Sequence, residues 1–169
     1  MRRSFFPQLA LRNLRKNSRV YLPYILASIG TIMMFYILCS MAFNDGLGSM
    51  YGGGQMTIIL RLGIIVVGLF AVIFLLYTNS FLIKRRKKEI GLYNILGLGK
   101  RHLGKMMFFE TLYVALFSIV IGLFLGMLLS KLMLALLLKM VSFPVPLGFS
   151  VSLNGILLTS ILFGAIYLL

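Results

Sequence analysis

Two long apolar runs, Ile58–Ile83 and Met106–Ser130, are separated by KRRKKEIGLYNILGLGKRHLGKMMFFE, Lys84 to Glu110, the one long segment of the chain that is dense in charge. Lys84, Arg85, Arg86, Lys87 and Lys88 close the first run, and Lys100, Arg101, His102 and Lys105 open the second. A Lys or Arg at the centre of a bilayer costs about 2.5–3.5 kcal/mol on insertion scales, so this segment cannot lie in hydrocarbon. It must be a loop at a membrane face, and the positive-inside bias assigns that face to the cytoplasm. Apolar runs of this length cross a core of ~30 Å as helices at ~1.5 Å per residue.

Composition agrees with a membrane protein. Of 169 residues 60% are hydrophobic, and the mean hydropathy is +1.02. A soluble domain of this length could not hide that much apolar side chain. The net charge of +14 comes from 17 basic residues against three acids, Asp45, Glu89 and Glu110. A basic chain invites a nucleic-acid reading, but these charges cluster at the ends of apolar runs, which argues against it. Cys39, the single cysteine, lies inside an apolar run and cannot form an intrachain disulfide. The apolar run nearest the N-terminus, residues 21–43, is too long for a signal-peptide core, and no small-x-small cleavage site follows it. Leu38 before Cys39 also speaks against lipoprotein processing. The run therefore reads as an uncleaved helix.

In order, the chain divides into a basic amphipathic segment (1–20), a first span (21–43), a short outer loop (44–57), a second span (58–83), the charged inner loop (84–105), a third span (106–130), an outer segment (131–150) and a fourth span (151–169) that stops without a closing basic cluster. That ending suggests a piece of a longer protein. The expected class is an all-α polytopic membrane protein, an N-terminal interfacial helix followed by four transmembrane helices. In the first segment Arg12, Arg15, Lys16 and Arg19 follow helical spacing and put four cations on one face, with Phe6, Leu9, Ala10 and Leu14 largely on the rest. This reads either as a helix lying in the membrane interface or as a basic tail holding the first span in place. Ser4 is its candidate N-cap, and Pro23 suits the first turn of the span that follows. Fourteen basic residues fall on the inner side and three, Arg61, Lys131 and Lys139, on the outer, which puts the N-terminus inside.

Several motifs point away from catalysis. The Gly-rich loop NDGLGSMYGGGQ lacks the Gly-Lys-Ser/Thr ending of a phosphate cradle. GLGKR would need Gly at 94 and Ser or Thr at 101, where the chain has Asn94 and Arg101, so ATP binding by this chain is not supported. No paired acids, HExxH or Ser/Lys arrangement occurs in the spans, and no catalytic or metal-ligating residue is expected. His102 reads as a solvated loop histidine. Glu110 reads either as an ion-pair partner for Arg101 or Lys105, or as a headgroup-level acid with its carboxylate in water. Gly63 and Gly68 leave room for a neighbouring helix. Ser118, Gly122, Gly126 and Ser130 recur every four residues and place small side chains along one strip where another helix, even of a second copy, can come close.

The charged stretch resembles the signature of the FtsX-like (MacB-type) permeases of ABC transporters. Lys84 to Lys88, Glu89-Ile90-Gly91-Leu92, Leu96-Gly97, Lys100-Arg101 and Glu110 match it in order and spacing. LALRNLRKN, Leu9 to Asn17, is similar to the opening of the BceB-type branch, which confers resistance to bacitracin and other antimicrobial peptides. The short first outer loop has no room for the large extracytoplasmic domain that follows the first span in many MacB-type members, which favours the same branch.

This resemblance implies a permease that hydrolyses no ATP itself. A separate ABC ATPase subunit, acting as a dimer, would bind ATP and Mg, and this chain would hold no cofactor. Glu89 to Leu98 would be the coupling helix. Ile90, Leu92, Tyr93, Ile95 and Leu96 offer an apolar side to a groove on the partner, and Glu89 with the flanking cations sets register. Gly97 and Gly99 permit the turn back to the membrane. The residues alone also fit a connector whose cations only enforce topology. The implied function is export, release or sensing of antimicrobial peptides or lipid-linked ligands at the bacterial cytoplasmic membrane, with a membrane sensor histidine kinase as a further partner. Alternatives are another FtsX-type system (lipoprotein release, macrolide-type efflux, activation of division hydrolases) or a small non-transporting membrane regulator.

Overall fold

A computed structural model describes residues 5–44, 53–86, 91, 100–141 and 152–168. Five helices carry nearly all of these residues: α1 (Phe5–Lys16), α2 (Ser18–Ala42), α3 (Gly53–Arg85), α4 (Lys100–Val141) and α5 (Leu153–Leu168). Three of them, α2, α3 and α4, are long and apolar enough to cross a membrane. With 16 residues α5 is shorter. At ~1.5 Å per residue it reaches about 24 Å, less than a ~30 Å core.

The central helix is α2, which packs against each of the other four. Its buried residues include Tyr21, Tyr24, Ser28, Ile32, Phe35 and Cys39, a stripe at three- and four-residue steps that forms the middle of the core. The register of its neighbours fixes their direction. Tyr21 bonds Glu110, Ile32 lies against Gly122 and Tyr36 against Gly126, so α2 and α4 run parallel. Arg86 reaches Tyr21 while Gly68 lies against Phe35, so α3 runs antiparallel. Cys39 faces Gly155 and Phe35 packs edge-on to Phe163 at 5.6 Å, so α5 is also antiparallel. Direction thus alternates from α2 to α5.

The small-residue strip of α4 lies against α2 of the same chain. A Cβ on Gly122 would sit 2.8 Å from Ile32 Cβ, and one on Gly126 would sit 2.9 Å from Tyr36 Cδ1, distances that real Cβ atoms do not adopt. Ser118 and Ser130 at the two ends of the strip are buried. On α3, Gly68 lies against Phe35, but Gly63 faces open space and makes no room for anything among the described residues. Beside Ser118 the hydroxyls of Tyr24, Ser28 and Tyr167 come within interaction range of one another. None of Ser28 Oγ, Ser118 Oγ and Tyr167 OH sits in a well-aligned hydrogen bond.

Helix ends differ from the sequence expectation. The fourth helix starts at Lys100 and ends at Val141. Lys100 to Lys105, expected in the inner loop, are therefore helical, while at its other end the helix continues past Ser130 to Val141, short of Phe143-Pro144-Val145-Pro146, whose prolines read as a helix break. His102 is correspondingly half-buried on α4 rather than in a solvated loop. Charge forbids hydrocarbon, not helix, and a helix of about 63 Å stands out of a ~30 Å core. Likewise α2 begins at Ser18, which puts Pro23 inside the helix instead of in its first turn. Neighbouring helices make such an interior proline tolerable in a membrane span. Ser152 caps α5, accepting the Gly155 N–H at 3.0 Å. Ser4, the expected cap of α1, lies outside the described residues.

Candidate functional site: a buried polar junction at the root of the charged loop

The last turn of α3 delivers Arg86 inward. The chain turns after Arg85, with the Arg86 N–H donating to Ile83 O at 3.2 Å. Lys84 and Arg85 stay exposed, Arg85 lying over the Phe81 ring at 5.3 Å. Arg86 is instead 6% exposed. Its Nη1 donates to Glu110 Oε2, forming an ion pair, and to the Tyr21 hydroxyl. The guanidinium also stands over the Tyr21 ring at 5.4 Å.

Glu110 is the centre of the junction. It projects from α4 into the bundle and is 3% exposed. The Tyr21 hydroxyl of α2 donates to Oε2 at 2.8 Å, and Asn13 Nδ2 of α1 donates to Oε1 at 2.6 Å. One carboxylate therefore ties together α1, α2, α4 and the end of α3. The donor set suits an ionised carboxylate: one cation and two neutral N–H or O–H groups, spread over both oxygens. A cavity of about 20 Å³ lies against the pair, lined among others by Tyr24, Asn79, Met107 and Thr111. That is room for about one water molecule.

Of the two readings the sequence leaves open for Glu110, the structure shows the ion pair, with Arg86 as the partner. Lys105 stands on the same continuous helix as Glu110, at a spacing that does not bring the two side chains together. Sequence reasoning counted Arg86 with the solvated basic flank, whereas the structure buries it. Neither Asn13 nor Tyr21 was expected to partner Glu110. The available signal was Asn13, one polar residue beside the cationic face of an amphipathic α1, together with a tyrosine and an arginine at the same end of adjacent spans.

The residues expected to grip an ATPase lie largely outside this picture. Lys87, Lys88, Glu89, Ile90, Leu92, Tyr93, Ile95, Leu96, Gly97 and Gly99 fall outside the described residues, as do the side chains of Lys100 and Arg101. Gly91 is helical and exposed, with nothing within 4 Å of a Cβ built on it. What the structure does give is the two roots of that segment: Arg86 directly before it, and Glu110 in the helix that follows it, joined to each other.

Comparison with known proteins gives a consistent result. Residues 61–169 match the family described as FtsX-like permease C-terminal. An uncharacterized ABC transporter permease of Bacillus subtilis, YvcS, is 29% identical over 153 residues, covering 89% of this chain and 24% of that protein. The bacitracin export permease protein BceB of the same species is 31% identical over 162 residues, covering 96% of this chain and 25% of that protein. BceB of Halalkalibacterium halodurans is 27% identical over 159 residues, covering 94% and 24%. The chain thus spans about a quarter of the length of the curated relatives it matches.

Proposed function

The chain belongs to the FtsX-like permease family of ABC transporters, most like its BceB-type members, and on that premise we propose that it carries the membrane end of a mechanical linkage driven by a separate ATPase subunit. In this reading the segment between α3 and α4 faces the cytoplasm. Its Glu89–Leu98 helix docks in a groove of the ATPase, and the Asn13–Tyr21–Arg86–Glu110 junction passes the movement to the spans. The N-terminus is cytoplasmic, α1 lies in the interface and α5 belongs to a fourth span. The ligand class is a peptide antibiotic or its lipid-linked target, as the bacitracin-export names of two relatives suggest. A sensor kinase partner belongs to the same proposal.

The observation that carries the linkage is the placement of the junction. A loop pushed by a motor moves the bundle only if its roots are fastened to it. Here the residue that enters the loop, Arg86, is paired with a residue of the helix that leaves it, Glu110. The same carboxylate holds α1 and the central helix α2. A displacement of the loop is therefore shared among four helices instead of fraying one helix end.

The test uses the full-length permease co-expressed with its ATPase. Leu92→Ala and Glu89→Ala are expected to lower co-purification of the ATPase at least several-fold. Glu110→Gln is expected to leave co-purification intact while resistance to the peptide falls. Unchanged ATPase association in both loop variants would exclude this loop as the docking element. Unchanged resistance in Glu110→Gln would exclude the junction as the transmitter.

A further inference from the structure

The seam between α2 and α4 opens outward into a groove of about 860 Å³ on the side where α1 packs. Arg15 and Ser18 line one end, Leu22, Ile25 and Phe117 the middle, and Ile29 with Leu125 the other end. Leu22 and Phe117 are more than half exposed, so the groove is open along its flank. From Ser18 to Ile29 it runs about 16 Å along α2. Half of a ~30 Å hydrocarbon core is about 15 Å, so the groove is one leaflet deep and ends near the bilayer midplane. A further spanning helix would call for a groove twice that depth, and both walls continue well past its end, α2 to Ala42 and α4 to Val141.

The two ends differ in chemistry. Arg15 stands at the mouth, and Arg12, Lys16 and Arg19 are exposed on the same stretch between α1 and α2. Neither helix contains an acid to balance them. The inner end is wholly apolar. A cationic mouth at headgroup level over an apolar cleft one leaflet deep matches one molecule type. We propose that this groove holds an anionic phospholipid of the bilayer, its phosphate against Arg15 and one acyl chain laid along Ile25 and Ile29 of α2 and Phe117 and Leu125 of α4. The lipid fastens α1 to the α2–α4 seam from outside, as the Glu110 junction does from within. The assignment is independent of any ATPase, and needs only that α1 lie at the membrane surface.

The experiment is native mass spectrometry of the purified full chain, delipidated and then offered equal amounts of phosphatidylglycerol and phosphatidylcholine. One basic residue near an anionic headgroup is worth about a five-fold preference. The wild type is expected to retain phosphatidylglycerol over phosphatidylcholine by at least that factor. Arg15→Gln, an exposed position whose change leaves helicity by circular dichroism intact, brings the ratio close to one. Leu26→Trp, which fills the cleft without touching charge, lowers retention of both lipids, and Arg61→Gln on α3 changes nothing. Equal retention by the wild type, or a ratio indifferent to Arg15→Gln, overturns the assignment. So does a photo-crosslinker at position 22 in native membranes that captures another protein segment instead of lipid.

Discussion

Glu110 is an acid held at the edge of hydrocarbon by three donors, and its energetics follow from what each loss leaves behind. Removing one member of a buried ion pair leaves the other charge unsatisfied and costs about 3–5 kcal/mol, whereas replacing both by apolar groups of similar volume is often neutral. Glu110→Leu and Arg86→Met should therefore each destabilise by about that amount, and the double substitution by much less. Unfolding in mixed detergent micelles measures this cycle. Additive losses would mean that the two charges do not rely on each other. Tyr21→Phe removes one hydroxyl that both accepts from Arg86 and donates to Glu110, and should cost less than either charge. The sequence made the acid legible and its partner illegible for a geometric reason. At ~100° per residue, Lys105 is turned roughly 140° away from Glu110 on a continuous helix. Only knowledge that α4 starts at Lys100, not at the end of the cationic patch, rules Lys105 out.

At the scale of the element, the parallel packing of α2 on α4 is set by glycines that let the two backbones approach. Gly122 and Gly126 present no side chain where Ile32 and Tyr36 cross, and Ile29 O and Met33 O lie within 3.4 Å of where a Cβ would be. Overpacking a close contact costs about 1–3 kcal/mol. Gly122→Ala and Gly126→Ala should each lower the thermal midpoint of the purified protein. Gly63→Ala and Gly104→Ala, which meet nothing within 4 Å, should leave it unchanged or raise it slightly, since alanine favours helix by up to about 1 kcal/mol. A uniform response across the four sites would mean that helix propensity, not close approach, governs them. The four-residue recurrence from Ser118 to Ser130 was readable from the sequence because small residues leave a periodic mark. Which helix fills the strip was not, because α2 shows no matching mark: it meets the strip with Ile32 and Tyr36, ordinary apolar residues of a span.

At the scale of the whole molecule, charges bracket a slab. On α4 no charge occurs between Glu110 and Lys131, about 32 Å apart along the axis; on α3 none occurs between Arg61 and Lys84, about 34 Å apart. Both intervals fit a ~30 Å core, and the antiparallel course of the two helices places Lys84 and Glu110 at the same face. Exposed Ile, Leu and Phe side chains ring α3 between those limits, as a lipid-facing or span-facing surface would. Since the described cations Arg12, Arg15, Lys16, Arg19, Lys84, Arg85, Arg86 and Lys105 gather toward the Lys84 end, that face should be cytoplasmic. Cys39 is fully buried, and Cys39→Ser removes the one thiol of these 169 residues. In intact cells a membrane-impermeant maleimide should label Lys139→Cys, which stands about 44 Å along α4 from Glu110 and is exposed, but not Lys84→Cys until the membrane is opened. The reverse pattern would put the charged loop outside the cell, where no ATPase could reach it, and with it would go the mechanical role of the junction. Labelling of both sites in intact cells would mean that the uncharged intervals do not mark a bilayer at all.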